Sequence, residues 1–138
     1  MKNILTEKEA QKVMKYWTDG SREDLKTAET LLKNKIYHYC LFFCHLSLEK
    51  LIKALVVKKT RSHALPIHNL IKLISDANLK INDQQRNNLS LINEFNIRAR
   101  YNDYKRQFYK KATEKYATNW FKKCEEFFLW LEKELKRK

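Results

Sequence analysis

The feature that most constrains this chain is its shortage of turn residues, since one Gly and one Pro occur among 138 residues. Sheets and tight hairpins need such residues at many points, whereas bundles of long helices need few. A hydrophobic fraction of 43% is enough for a packed core, and the length suits a single domain over residues 1–138. The sequence therefore predicts an all-α fold.

Apolar residues recur at helical spacing in six segments. A capping-box pattern at Thr6 and Glu9 begins the first segment, and Gly20 with Ser21 is predicted to end it and to start a second helix. That helix runs to about residue 33, and further helices are predicted at about 36–60, 68–77, 82–98 and 113–136. Helices joined by short loops pack antiparallel, so the sequence predicts an up-down four-helix bundle with one or two additional short helices.

The segment 36–60 is apolar around most of its circumference, which predicts a helix at the centre of the bundle. Its polar exceptions fall within about 80° on a helical wheel: His38, His45, Glu49 and Lys53. The last three are spaced by four residues, so neighbours can touch, and burying them unpaired would be costly. Two interpretations stay open, an internal network bonded to a neighbouring helix or second subunit, and the lining of a cleft for phosphate or base.

Positive charge is concentrated late in the chain. Lys and Arg total 29 against 16 Asp and Glu, and the net charge of +13 favours phosphate-bearing partners or an acidic protein. The segment 98–111, RARYNDYKRQFYKK, contains a single acidic residue. Arginine can fork onto a phosphate and tyrosine can stack on a base, so its first residues are candidate ligands. The alternative is a solvated helix end whose cations complement the helix dipole.

Other kinds of site lack their usual motifs. There is no CxxC or HExxH motif, no glycine-rich phosphate loop and no recognisable nucleophile pattern, so no metal, cofactor or catalytic residue is predicted. Cys40 and Cys44 lie one helical turn apart in an apolar segment, which indicates reduced core thiols. Because no apolar run reaches about 18 residues, we expect a soluble cytoplasmic protein that does not span a membrane.

Three motifs resemble the HEPN family of small all-α domains. HLSLEKLIKAL is similar to the pattern of the family's central helix, with matches at Glu49, Lys50, Lys53 and Ala54. LPIHNL resembles the family's step into a short helix, with matches at Pro66, His68, Asn69 and Leu70. RARYNDY resembles the family's Arg-Tyr-Pro-Asp segment, in which Asn102 replaces the proline and the matches are Arg100, Tyr101 and Asp103.

The resemblance implies an up-down four-helix bundle, commonly a homodimer, that is often linked to a nucleotidyltransferase. Nucleotide binding is proposed for some members, and others are ribonuclease toxins with an Arg-x(4–6)-His motif. This chain departs from that motif, since no His follows His68. RNA cleavage through a 2′-hydroxyl needs a general base, which is usually a His.

The sequence therefore predicts a non-catalytic HEPN domain that binds ATP, GTP or RNA. The candidate nucleotide- or phosphate-binding residues are Arg98, Arg100, Tyr101, Asp103, Tyr104, His45, Glu49 and Lys53. The predicted partners are a second copy of the chain and a separately encoded nucleotidyltransferase. The alternatives are a ribonuclease toxin with an atypical site and a plain protein-interaction bundle.

Overall fold

A computed structural model describes the backbone of residues 4–100 and 102–137, and the side chains of residues 4–98 and 107–137. Within these ranges the chain contains helices and no strand, which confirms the predicted all-α class. The helices in chain order are α1 (Glu7–Lys33), α2 (Tyr37–Thr60), α3 (Leu70–Asp76), α4 (Asp83–Arg100), α5 (Asn102–Lys111) and α6 (Glu114–Lys136).

The four long helices α1, α2, α4 and α6 form the predicted up-down bundle, and α3 and α5 are its two short helices. The central helix is α2, which packs against α1, α3, α4 and α6. More than half of its residues are buried, as its apolar circumference predicts. The predicted inner stripe of α6 is buried as well, at Trp120, Phe127, Phe128 and Leu131.

The predicted break at Gly20 and Ser21 is wrong, because α1 continues from Glu7 to Lys33. The Ser21 hydroxyl donates to the backbone carbonyl of Thr18 at 2.7 Å instead of capping a new helix. A Cβ atom at Gly20 would lie 3.1 Å from Cδ of Lys50 on α2. Glycine costs about 1 kcal/mol in a helix interior, and here it lets the Lys50 side chain cross close to α1.

The helix α5 is absent from the sequence prediction, because its strongly basic sequence offers few apolar positions. Phe108 is the residue that anchors it, since the ring is 1% exposed and lies 5.7 Å from the ring of Phe95 on α4, centroid to centroid. The segment 98–111 is therefore more than the frayed end of α4. Residues 98–100 are the end of α4, and residues 102–111 form α5.

The C-terminal ends of α2 and α6 are joined by Lys58. Its ammonium group donates to the backbone carbonyls of Glu134 at 3.2 Å and Leu135 at 2.8 Å, and to that of Arg137. Carbonyl groups in the last turn of a helix have no partner within the helix. Lys58 of α2 therefore caps α6 from outside.

The three cysteines, Cys40, Cys44 and Cys124, are free buried thiols, as predicted for core residues. A hydrogen bond with Cys44, together with burial, raises the pKa of Cys40. No helix among the described residues is both long enough and apolar enough to cross a membrane.

Candidate functional site

A network of charged residues lies inside the bundle around Glu49 of α2, which is 5% exposed. Nζ of Lys53 donates to Oε2 of Glu49 at 3.0 Å, and Nδ1 of His68 lies 2.9 Å from Oε1. Nδ1 of His45 is 3.7 Å from the same Oε1. These four residues are called the Glu49 network below. The four-residue spacing on α2 brings the three predicted residues together, and His68 joins them from the connection before α3.

The hydrogen bonds of the Glu49 network fix the positions of two protons. An ionised carboxylate can only accept, so Nδ1 of His68 carries the hydrogen that it donates to Glu49. A backbone carbonyl also only accepts, so Nε2 of His45 donates to the carbonyl oxygen of His68 at 2.9 Å. Residue 68 is therefore held twice, by its side chain and by its backbone.

The ammonium group of Lys53 has a second partner on α1. Its Nζ lies 5.1 Å from the ring centroid of Trp17, within the range of a cation–π interaction. Lys53 is 5% exposed, so its charge is compensated mainly by the Glu49 carboxylate and the Trp17 ring. A buried cation with these partners is poorly placed to bind an external phosphate.

A second charged pair holds α1 against α2. Nζ of Lys50 lies 2.8 Å from Oδ2 of Asp24, and the Lys50 stem reaches this position by passing Gly20. Burial raises the pKa of Asp24, and the ion pair with Lys50 partly opposes this effect. The α1–α2 interface therefore contains compensated charges as well as apolar contacts.

The connection before α3 is held to α4 by asparagine side chains. Oδ1 of Asn69 accepts from the backbone N–H groups of Ile71 and Lys72, so Asn69 is the cap of α3. Nδ2 of Asn93 donates to the same Oδ1 at 3.1 Å, and Oδ1 of Asn93 accepts from the backbone of Leu70 at 2.8 Å. These bonds fix the residue that follows His68.

A second group of cations lies where α4, α5 and α6 meet. Nη2 of Arg98 is 3.5 Å from Oε2 of the half-exposed Glu94. Burial raises the pKa of Tyr116 at the start of α6, and the charge of Arg98 partly opposes this shift. Nζ of Lys111 lies 5.6 Å from the Tyr116 ring centroid.

An open groove of about 560 Å³ runs along the first turns of α6. It is lined by Thr113, Glu114, Lys115, Thr118, Asn119 and Lys122. Lys115, Thr118 and Lys122 are three and four residues apart, so they share one face of the helix. The two lysines of this groove, the last two residues of α5 and Arg98 near the end of α4 are together called the basic end below: Arg98, Lys110, Lys111, Lys115 and Lys122.

A family model for the HEPN domain matches residues 14–135 of the chain. The chain belongs to the HEPN family. The crystal structure of TT1696 from Thermus thermophilus has a similar fold, with a TM-score of 0.74. The similarity covers 87% of this chain and 96% of that one at 16% identity, and it shows the fold alone. No curated protein matches the sequence.

The residues predicted to bind phosphate in this HEPN domain fall into two separate groups. His45, Glu49 and Lys53 belong to the Glu49 network, while the described ion pair of Arg98 is with Glu94 on its own helix. Asn93, which bonds next to His68, and Arg98 are five residues apart on α4, or about 7.5 Å along the axis. The side chains of Arg100, Tyr101, Asp103 and Tyr104 lie outside the described residues.

Sequence reasoning missed the partnership of His68 with Glu49. The available signal was the LPIHNL motif, in which His68 matches a family position. Nothing in the sequence links it to a residue 19 positions earlier, and the link depends on the α2–α3 packing of the HEPN fold. Among the described residues, no group of three or more His, Cys, Asp or Glu side chains is arranged to hold a metal ion.

Proposed function

We propose that this HEPN protein is a non-catalytic binding module for a phosphate-bearing ligand, a nucleotide or single-stranded RNA, at the basic end. The observation that carries the proposal is the groove on α6, whose charged lining residues are Lys115 and Lys122 against Glu114. Arg98, Lys110 and Lys111 add positive charge beside it, and Glu94 is the acidic partner of Arg98. Exposed cations around an open groove attract phosphate.

The basic end is better suited to phosphate than the Glu49 network is. A phosphate that recruited Lys53 would have to displace Glu49 and leave a carboxylate buried beside the remaining partners, which is strongly unfavourable. The pair of Arg98 with Glu94 is largely solvent-exposed on the Glu94 side and weak, so a phosphate can replace the carboxylate at little cost. In this proposal His45, Glu49 and Lys53 support the fold beside the site.

The groove also offers groups that can orient a ligand. Lys115 and Lys122 act as point charges for phosphate, while Thr118 and Asn119 between them can exchange hydrogen bonds with sugar or phosphate oxygens. Outside the groove, Tyr109 of α5 is 64% exposed, and we propose that its ring stacks on a base of a longer ligand such as RNA. Arg100, Tyr101, Asp103 and Tyr104 are proposed from the sequence as further contacts to the ligand.

Two protein partners complete the proposal. Membership in the HEPN family supports a homodimer and a separately encoded nucleotidyltransferase. Light scattering on the purified protein tests the dimer directly, because a mass equal to one chain at micromolar concentration would contradict it.

Calorimetric titration with ATP, GTP and a short RNA tests ligand binding, with RNA integrity followed on a gel. We expect binding without RNA cleavage at neutral pH, because no His follows His68 in this chain. Arg100→Ala should weaken binding by roughly ten- to a hundred-fold through loss of a bidentate contact, and Arg100→Lys should restore part of it.

The matched control for this variant is Arg86→Ala, which removes an exposed arginine from the first turn of the same helix. Equal binding by the Arg100→Ala and Arg86→Ala variants would contradict a role of Arg100 in binding and would support the alternative, that RARYNDY is a solvated helix end. RNA cleavage by the wild type that disappears in Arg100→Ala would instead make the protein a ribonuclease.

A further inference from the structure

The imidazole of His68 is exposed to solvent but is bonded to a buried carboxylate. Its side chain is 52% exposed, whereas that of Glu49, which accepts its Nδ1 hydrogen at 2.9 Å, is 6% exposed. Because the hydrogen is on Nδ1, Nε2 of the neutral ring carries a lone pair. Nε2 lies on the opposite edge of the ring from Glu49, and none of the described residues forms a hydrogen bond with it.

The orientation of this imidazole is fixed by three elements of the fold. Nε2 of His45 donates to the backbone carbonyl of residue 68, and Lys53 holds the other oxygen of Glu49. The bonds between Asn69 and Asn93 hold the next residue against α4. A nucleophile whose supporting acid is itself held in place loses little freedom when it reacts.

The other histidines have different surroundings. His45 is fully buried. The ring of His38 packs against the rings of Tyr39 and Tyr109, with centroids 4.1 and 4.9 Å away. His63 is exposed like His68, but it lines a groove between the end of α2 and α3 and is not part of the Glu49 network. His68 is thus the exposed histidine that a buried carboxylate orients.

We propose that Nε2 of His68 accepts a phosphoryl group from an acyl phosphate. The Nε2 lone pair forms the new N–P bond, the P–O bond of the mixed anhydride breaks, and the carboxylate leaving group takes its electron pair. The Nδ1 hydrogen stays on the ring, bonded to Glu49, and the negative charge of this carboxylate balances the positive charge of the phosphorylated imidazolium.

The modification site is independent of ligand binding at the basic end, because it uses different residues. The net charge of +13 favours the approach of an anionic donor to the surface on which His68 lies. The nearby Lys53 ammonium group is bonded to Glu49, so it does not compete with His68 for the anionic acyl phosphate. The product is an N-phosphorylated histidine, which is labile in acid and stable in base.

The test is incubation of the full chain with acetyl phosphate, followed by mass spectrometry that keeps N–P bonds and locates them. In the folded wild type we expect His68 to be labelled at least about ten times faster than His63, which is the internal control for an exposed imidazole. In urea that unfolds the chain, the two rates should become similar, because the carboxylate is no longer held against the ring.

Two variants sharpen the test. Glu49→Gln keeps a hydrogen-bond acceptor but removes its charge, so labelling of His68 should slow by about ten-fold while that of His63 is unchanged. His68→Gln should abolish the fast reaction. Equal labelling of His68 and His63 in the folded wild type would overturn the proposal without any variant, and so would an unchanged His68 rate in folded Glu49→Gln protein.

Discussion

The Glu49 network and the basic end are both rich in ionisable residues, but the charges of the first are buried and paired whereas those of the second are mostly exposed and of one sign. In the Glu49 network, one buried carboxylate is shared by Lys53 and His68 at 3.0 and 2.9 Å. At the basic end, two of the five cations, Lys115 and Lys122, line an open groove in which Glu114 is the acidic lining residue. The first arrangement holds helices together, and the second leaves attraction available for a partner.

This contrast distinguishes two roles of a polar residue in a helical bundle, which are to stabilise the fold and to bind a ligand. The three predicted residues of α2 and the basic segment 98–111 both deviate from an apolar pattern, and both were candidates for phosphate binding. Burial distinguishes them, since Lys53 is 5% exposed whereas Lys110, Lys111, Lys115 and Lys122 are exposed. A charged side chain contributes more to ligand binding when binding does not require it to break an existing buried ion pair.

Removing Glu49 should cause the largest change in stability. Glu49→Ala leaves Lys53 in a low-dielectric site without its carboxylate, and we expect a loss of about 2–4 kcal/mol in the free energy of unfolding. Urea denaturation measures it. The control is Glu29→Ala, which removes the carboxylate of an exposed pair with Lys33 and should cost under about 0.5 kcal/mol. Similar losses in both variants would contradict a buried network.

Replacing Lys53 should cost less than replacing Glu49. Lys53→Met keeps an unbranched stem beside Trp17 and leaves Glu49 bonded to His68, so we expect a loss of about 1–2 kcal/mol. The Glu49→Ala/Lys53→Met double variant should lose less than the sum of the single losses, by about 1 kcal/mol or more. Additive losses would mean that the two side chains act independently.

At the basic end, the lysines of the groove should affect binding rather than folding. Lys115→Gln/Lys122→Gln should weaken RNA affinity by roughly ten-fold and reduce the slope of log affinity against log salt by about 1.4. The control, Lys8→Gln/Lys12→Gln, removes the same charge from exposed positions on α1. Fluorescence anisotropy at several salt concentrations measures both, and equal effects of the two pairs would make the attraction a property of net charge alone.

The smallest expected effect is at Gly20, beside the pair of Asp24 and Lys50. The exposure of this pair is intermediate between that of the Glu49 network and that of the basic end. Gly20→Ala should stabilise the protein by about 0.5 kcal/mol, because the gain in helix propensity exceeds the cost of moving the flexible Lys50 stem. Urea denaturation again provides the measurement. A loss of stability would show that Lys50 cannot move without breaking its contact with Asp24.

Much of the fold could be predicted from the sequence because it depends on local patterns. Thr6 and Glu9 form the predicted capping box, and the largely apolar α2 occupies the centre. The break at Gly20 was wrong because propensity is a weak effect that one interhelical contact can outweigh. The helix α5 was missed because a single buried ring, Phe108, does not make a periodic pattern.

The candidate sites could be predicted only in part, for a related reason. Spacing of four residues was enough to join His45, Glu49 and Lys53 on one helix face. Helical periodicity carries no information about contacts between helices, so it could not bring His68 to Glu49. The groove on α6 was not predicted either, since Lys115 and Lys122 resemble ordinary solvated lysines in the sequence.

The contact of Lys58 with the last carbonyls of α6 has a consequence for the order in which the molecule opens. Helix ends normally fray one residue at a time, and their amide hydrogens exchange with solvent long before the rest of the protein unfolds. Here the final turn of α6 is bonded to a lysine in the last turn of α2. We therefore expect the two helix termini to open as one cooperative unit, with a common free energy of opening for their amide hydrogens.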